Sequence, residues 1–151
     1  MRIDDYKNVV NKFTTGIVIV TGFYNNPFGI TINSFSSVSL EPLLISFNIE
    51  RNAQTYPLIK DSNFYNINIL NSDASPLVKK FASHDRDKFE GVNYSVDKNN
   101  VPILTKNIGL LNVKKWKLVE AGDHDIVICE VLSGKNHDSK KPLIYFNSKI
   151  L

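Results

Sequence analysis

The chain has one cysteine, one methionine, one tryptophan and three histidines among its 151 residues. Each scarcity removes a class of explanation. A single thiol, Cys129, cannot close a disulfide within the chain, which suits a reducing compartment and leaves stability to an apolar core. Cys129 sits in an apolar run and reads as a buried, inert thiol rather than a nucleophile. His84, His124 and His137 share no metal-ligand spacing with one another or with Cys129, so no metal site is expected. No apolar run approaches the roughly 20 residues that span a bilayer. The opening Met1-Arg2-Ile3-Asp4-Asp5 lacks the apolar stretch of a signal peptide. A cytoplasmic protein without membrane contacts is therefore expected. Neither GxGxxG nor a GxxxxGK phosphate loop occurs, which argues against nucleotide binding by those devices. The net charge is only +3, with lysines in short pairs such as Lys79-Lys80 and Lys114-Lys115. That is no basic stripe for nucleic acid, though it favours an anionic small molecule.

What is present is ordinary globular material, 42% hydrophobic and 22% charged. The length suits a single domain over residues 1–151 with its own core. Asp4 or Asp5 is placed to cap a short helix with Tyr6, Val9, Val10 and Phe13 on one face. Ile17-Val18-Ile19-Val20-Thr21 is β-branched and too short for a helix, and reads as a strand buried on both faces. Asn25-Asn26-Pro27 marks a turn. Strands follow over Phe28 to Phe35 and Leu43 to Ile49. Asn52 is positioned to cap a helix through Leu58 and Ile59. Phe64 to Leu70 alternates apolar residues with asparagines, as a strand does. Ser75-Pro76 starts a helix whose inner face is Leu77, Val78 and Phe81. Asp85 to Asn100 is polar and loop-like. Strands close the chain at Ile108–Ala121, His124–Ser133 and Leu143–Phe146. The expected fold is mainly β: a closed or nearly closed antiparallel barrel of six or seven strands with a few short helices.

Three stretches are able to carry chemistry. Thr31 to Ser39 packs hydroxyls and one amide around a strand end, where small side chains let a planar ligand approach the backbone. The same pattern also makes a polar edge strand and a serine-rich turn. Arg51-Asn52-Ala53-Gln54-Thr55 would offer an anion a helix N-terminus and a guanidinium, or simply be a capped helix. Gly122-Asp123-His124-Asp125 makes a hairpin, on which His124 could orient a cofactor or move a proton. His84 to Lys88 is a solvated charged run, from which Lys88 or Arg86 could reach a phosphate.

Taken in order, these pieces resemble the flavin reductase-like family, the FMN-binding split barrels that include reductases of two-component monooxygenases. The resemblance rests on Phe13 to Thr21, on Gly29-Ile30-Thr31-Ile32-Asn33-Ser34-Phe35 and on Ser37-Val38-Ser39-Leu40-Glu41-Pro42. It continues through Phe64-Tyr65-Asn66-Ile67-Asn68-Ile69-Leu70, Phe81-Ala82 with Asp87-Lys88-Phe89, Ala121-Gly122-Asp123-His124 with Cys129-Glu130-Val131, and Pro142-Leu143-Ile144-Tyr145. It implies a Greek-key split barrel. The flavin would lie across Thr31, Asn33, Ser34, Phe35, Ser36, Ser37, Val38 and Ser39. Its phosphate end would be held near Arg51, Ala53 and Thr55, with Phe81, Ala82, Ser83 and Lys88 alongside. His124 would stand by the reactive face, where a nicotinamide stacks.

The chain departs from the family pattern at Pro42-Leu43, where two prolines are usual, at Asn112-Val113 in place of Glu-Cys, and at Cys129 in place of glycine. The activity implied is an NAD(P)H:flavin oxidoreductase. Hydride passes from NADH or NADPH to N5 of FMN or FAD, and reduced flavin can then go to an oxygenase or an electron-acceptor protein. Two further readings remain: a flavin-binding electron carrier without catalysis, and an FMN-dependent oxidase on the same barrel type. A homodimer is implied by the resemblance and suits a small barrel with exposed edges.

Overall fold

The β-branched run Ile17 to Val20 carries apolar side chains on both sides of a strand, so it needs two apolar layers to bury it. The computed structural model, which describes residues 1–138 and 140–151, supplies both. In chain order the elements are α1 (Ile3–Val10), β1 (Thr15–Gly16), β2 (Val18–Tyr24), β3 (Asn26–Ile32), β4 (Ser36–Leu40), β5 (Leu43–Glu50) and α2 (Tyr56–Asp61). They continue with β6 (Phe64–Leu70), a 3-10 turn (Ser72–Ala74), α3 (Ser75–Ala82), β7 (Tyr94–Val96), β8 (Pro102–Leu104), β9 (Asn107–Ala121), β10 (His124–Asn136), β11 (Ile144–Phe146) and β12 (Lys149–Ile150).

Seven strands form one antiparallel sheet in the order β3-β2-β6-β9-β10-β5-β4. The sheet curls. Val18, Val20 and Phe28 near one edge share a core with Ile45, Phe47 and Ile49 near the other, and with Tyr65, Ile67, Val127 and Cys129 between them. On the opposite face, Ile17, Ile19 and Leu70 pack with Phe81, Leu104 and Leu143 in a second cluster. Each fully buried Ile, Leu or Phe in these layers contributes about 1.5–3 kcal/mol relative to exposure. Cys129 is fully buried, and that burial pushes its thiol up to about 12, away from any thiolate at neutral pH.

The mainly β architecture with a seven-stranded antiparallel sheet is as expected; among the described residues hydrogen bonds do not close the sheet, whose two edges are β3 and β4. Other expectations are corrected. The strand expected over Phe28–Phe35 ends at Ile32, and the chain then crosses to the other edge, so Ser36–Leu40 forms edge strand β4. Leu143–Phe146 does not join the main sheet; β11 pairs with β1 and β12. Asn52 does not cap α2, which begins at Tyr56 with Pro57 in its first turn, where the missing N–H costs nothing. Helix α1 ends at Val10, short of Phe13, and Ile3, Tyr6, Val9 and Phe13 are all exposed.

Asn66 and Asn68 lie on the outward-facing row of β6 yet are fully buried. The polar stretch after Asp85 explains this, because it contains β7 and leads into β8, which fold over them. Asn68 donates to the Ile19 carbonyl (3.1 Å) and accepts from the Leu104 N–H (2.9 Å). Asn66 donates to Asp97 (3.0 Å) and to the Val101 carbonyl (3.2 Å). These amides fasten residues 97–104, whose β8 pairs with β7 and is not a strand of the main sheet, to the outer face of β6. Replacing Asn68 by Ala leaves the Leu104 N–H unpaired in a dry layer, at an expected cost of about 1–3 kcal/mol. Urea denaturation of Asn68→Ala measures it. A loss below about 0.5 kcal/mol would mean that the amide is not what fastens this segment.

Candidate functional site

One edge of β3 pairs with β2 and, among the described residues, the other has no strand beside it. Hydrogen-bonding directions alternate along an antiparallel strand. Since the Gly29 carbonyl accepts from the Lys88 ammonium (3.2 Å), the backbone groups of Gly29 and Thr31 face this open edge. Helix α3 stands next to it. A Cβ on Gly29 would lie 2.7 Å from the buried Phe81 ring, so only glycine lets the helix approach this closely. The Thr31 hydroxyl donates to the Val78 carbonyl (2.8 Å), tying strand to helix.

A trough results, made of adjoining hollows. The central one, about 290 Å³, is bounded by Thr31, Glu50, Ala53, Thr55, Phe81, Ala82, Ser83 and Lys88. It shares Thr31 and Ala82 with a hollow of about 250 Å³ that runs past Asn33 and Val78 to Tyr145. Asn33 and Tyr145 also border a wider space of about 680 Å³ between α1 and Ser34-Phe35-Ser36. At its other end the central hollow shares Gln54, Thr55 and Lys88 with one of about 280 Å³, lined by Tyr24, Phe28, Asp85 and Arg86.

Lys88 is the cation of the trough. It donates to the Phe81 carbonyl (3.0 Å) as well as to Gly29, and partial burial lowers its pKa while Asp85 opposes the change. Thr55 is buried, and its hydroxyl oxygen has no hydrogen-bond partner among the described residues. An unpaired buried hydroxyl costs free energy unless something meets it. The Ser83 hydroxyl is used locally, donating to the Lys80 carbonyl at the end of α3 (2.7 Å).

The structure thus gathers Thr31, Asn33, Ala53, Thr55, Phe81, Ala82, Ser83 and Lys88 along one continuous line. Ser34, Phe35 and Ser36 lie further along it. Ser37, Val38 and Ser39 run on into edge strand β4 and line none of these hollows. The serine hydroxyls largely serve the fold: Ser34 accepts from the Asn48 N–H (2.9 Å), and Ser39 accepts from the Glu41 N–H (3.3 Å).

Arg51 is not in the trough. Its guanidinium donates to Asp125 through Nε and Nη2 (2.9 Å each) and reaches Glu120 (3.1 Å). Asp125 occupies the inward row of β10, with Val127 and Cys129, and its other carboxylate oxygen accepts from the Tyr56 hydroxyl (2.7 Å). Those two partners neutralise a carboxylate that caps the end of the core. They also fasten the 51–55 turn to the hairpin between β9 and β10. In that hairpin Gly122 takes the left-handed conformation, with φ +65°, that a two-residue loop demands. His124 lies beside it, opposite Glu50, which borders the trough. Its Nδ1 faces Asp123 (2.7 Å), an arrangement that leaves Nε2 free and holds the Asp123 carboxyl below the usual range. Sequence reasoning missed Tyr145, Val78, Tyr56 and Asp125. The parity of Asp125 with Val127 and Cys129 was the available signal for the last.

The trough and the curled sheet define a small β protein with a groove along an open strand edge. A family profile described as a flavin reductase like domain matches residues 10–150. The chain is 30% identical to a flavin reductase of Pseudomonas putida over 143 residues, 93% of this chain and 84% of that one. It is 28% identical over 134 residues to the FMN reductase (NADH) SmoA of Agrobacterium fabrum, covering 88% and 76% of the two chains. The solved flavin reductase PheA2 superposes with a TM-score of 0.91 at 30% identity, covering 100% of this chain and 97% of that one. The NADH:FAD oxidoreductase of Streptomyces globisporus, solved with NAD and FAD fragments, shares the fold with a TM-score of 0.94 at 24% identity over 98% and 90% of the chains. The chain belongs to the flavin reductase like family.

Tyr56 first, then Arg51, hold the Asp125 carboxyl below the usual carboxylate range. Their contribution to stability is complete above the ordinary pKa of about 3.9 and is lost as pH falls through the lower folded-state value. Thermal melts of Asp125→Asn and the parent protein should differ most near neutral pH and converge as pH drops below about 4. A difference that stays constant with pH would contradict this role for the pair.

Proposed function

We propose that this protein is an NAD(P)H:flavin oxidoreductase, with FMN or FAD lying along the open edge of β3. The observation that carries this reading is the trough itself. Thr31 borders its central hollow and Gly29 the adjoining one, both on the open edge of β3, and where the two hollows meet stand a half-buried ammonium, Lys88, and a hydroxyl, Thr55, with no partner among the described residues. Those groups fit a flavin: edge amides for ring carbonyls, and Lys88 with Thr55 for a phosphate. A Cβ at position 29 would clash with the Phe81 ring, which borders that space.

When bound, the flavin supplies the redox chemistry, accepting hydride from the nicotinamide at its N5. The chain's own part is positioning. Thr31, Asn33 and Ala82 border the ring and ribityl chain; Lys88 and Thr55 hold the phosphate, with Ala53, Phe81 and Ser83 forming the walls. His124, turned by Asp123, presents Nε2 to the stacked nicotinamide or the flavin edge. Ser34, Phe35 and Ser36 close the far end, while Ser37, Val38 and Ser39 belong to edge strand β4 outside it. Arg51 acts through Asp125, holding the phosphate turn and the His124 hairpin in one geometry. Residues 1–151 work as one domain in this reading. The sheet serves as a split barrel, with Ile30 and Phe35 sealing the gap between its edges against the common core.

We further propose that a second copy of the chain covers the exposed apolar residues of α1 and Phe13 just beyond it, where Ile3 is 72% and Phe13 78% accessible. Reduced flavin then serves an oxygenase or another electron acceptor. Among the relatives, one from Rhodococcus jostii is named as the reductase subunit of a flavin-dependent monooxygenase.

The test is oxidation of NADH and NADPH by purified protein with FMN or FAD added. Stimulation by at least one flavin is expected, and none over the flavin-free control would overturn the reading. His124→Ala should lower turnover at least about tenfold, the equivalent of about 1.4 kcal/mol, with flavin affinity within about twofold. Light scattering should give twice the chain mass; a flavin-bound monomer would remove the dimer.

A further inference from the structure

Trp116 is the chain's only tryptophan, and it is 54% accessible. A ring of that size facing water forgoes the burial that tryptophan usually supplies to a core or an interface. The backbone puts it there. Lys115 lies opposite Cys129 and Lys117 opposite Ile128, so Trp116 is the extra residue of a β-bulge in β9. Val113 and Leu118 pack into the core on either side of the bulge, whereas Lys114, Trp116 and Lys117 are exposed. Strict alternation from Val113 would have put Lys117 on the inward row. The extra residue turns it outward, next to the indole.

The surroundings of the ring are basic. The Lys114 ammonium stands 6.0 Å from the centre of the Phe64 ring. Lys115 reaches the end of α2, where its ammonium donates to the carbonyl of the exposed Lys60. None of Lys60, Lys114, Lys115 and Lys117 enters an ion pair among the described residues. The carboxylates on these segments are Glu130, across the sheet from Lys114, and Asp61, next to Lys60, so the cations remain in excess.

Charge selects the occupant. A second copy meeting this face across a two-fold axis would set lysines against lysines. A membrane surface is met by a broad apolar face with a basic border, and this face offers one ring. Nucleic acid is met by a basic stripe with interleaved aromatics, and the lysines here surround a single tryptophan. An exposed tryptophan ringed by unpaired cations is the pattern of an interface anchor with steering charges, and its complement is acidic.

We infer that Trp116 and the lysines around it form a docking surface for an acidic protein partner, with the indole as anchor. The six-residue α2 joins this surface to the turn of Ala53 and Thr55 that borders the trough, a length of about 9 Å. A partner seated here is therefore held close to the trough without covering it. The inference stands on this surface alone and does not depend on what the trough binds.

Because Trp116 is the only tryptophan, its intrinsic emission reads this surface selectively. The experiment titrates the purified full chain with poly-L-glutamate, and separately with duplex DNA and with phosphatidylserine vesicles. Poly-L-glutamate should move the emission to shorter wavelength with a saturable midpoint. That midpoint should weaken at least about tenfold when Lys114→Glu and Lys117→Glu are combined, and about threefold in Lys60→Glu. Combining Lys79→Glu and Lys80→Glu, the same charge change on α3, should leave it within about twofold. Lys60→Glu lies on a different element and reads the patch even if the β9 variant fails to fold. Unmoved emission with poly-L-glutamate, or equal weakening by the two double variants, would overturn the inference. A tighter response to DNA or to vesicles, or emission that shifts with the chain's own concentration, would overturn it in favour of nucleic acid, membrane or a second copy.

Discussion

A strand with one edge left open has to be protected, and in this protein that constraint organises everything around the site. The outer side of β3 has no strand beside it. An open edge in water invites pairing with another chain. Here it is guarded by α3, which reaches it only because Gly29 leaves room for the Phe81 ring. Lys88 occupies the Gly29 carbonyl and Thr31 binds the helix backbone. What remains between strand and helix is a narrow trough with backbone polar groups on one wall and a cation at its end. An edge guarded in this way is closed to another strand.

The rest of the architecture keeps that edge in place. Burial of Ile17 to Val20 on both faces fixes β2, and β2 carries β3. The asparagines of β6 hold residues 97–104 against the outer face, completing the layer in which Phe81 sits. At the far side of the trough, Asp125 gathers Arg51 and Tyr56, so the turn before α2 and the His124 hairpin move as one unit. The site's two walls thus come from parts of the chain far apart in sequence, each clamped by a buried polar group with satisfied partners.

Much of the fold was legible from hydrophobic periodicity. The two-faced run at Ile17 to Val20, the strand at Phe64–Leu70 and the Ser75-Pro76 helix start are local signals, and local signals survive into the structure. The site was legible only in part. Motif order located the segments, but a serine-rich stretch cannot say whether its hydroxyls serve a ligand or the chain. Ser34 and Ser39 turn out to bond the backbone. Arg51 looked like a phosphate ligand because its partner, Asp125, lies 74 positions away in the chain. The burial of Asn66 and Asn68 was not legible because the segment covering them reads as loop. In each case the deciding fact was a long-range contact, which no window of sequence contains.

The central claim is that a flavin occupies the open edge of β3. Hydrogen–deuterium exchange of the purified protein with and without saturating FMN reads that edge directly, since an amide facing a bound ligand exchanges more slowly than one facing water. The account predicts slowed exchange in peptides covering Gly29–Asn33 and Phe81–Lys88, with little change in β7 and β8. Unchanged exchange at Gly29–Asn33 under saturating flavin would contradict it.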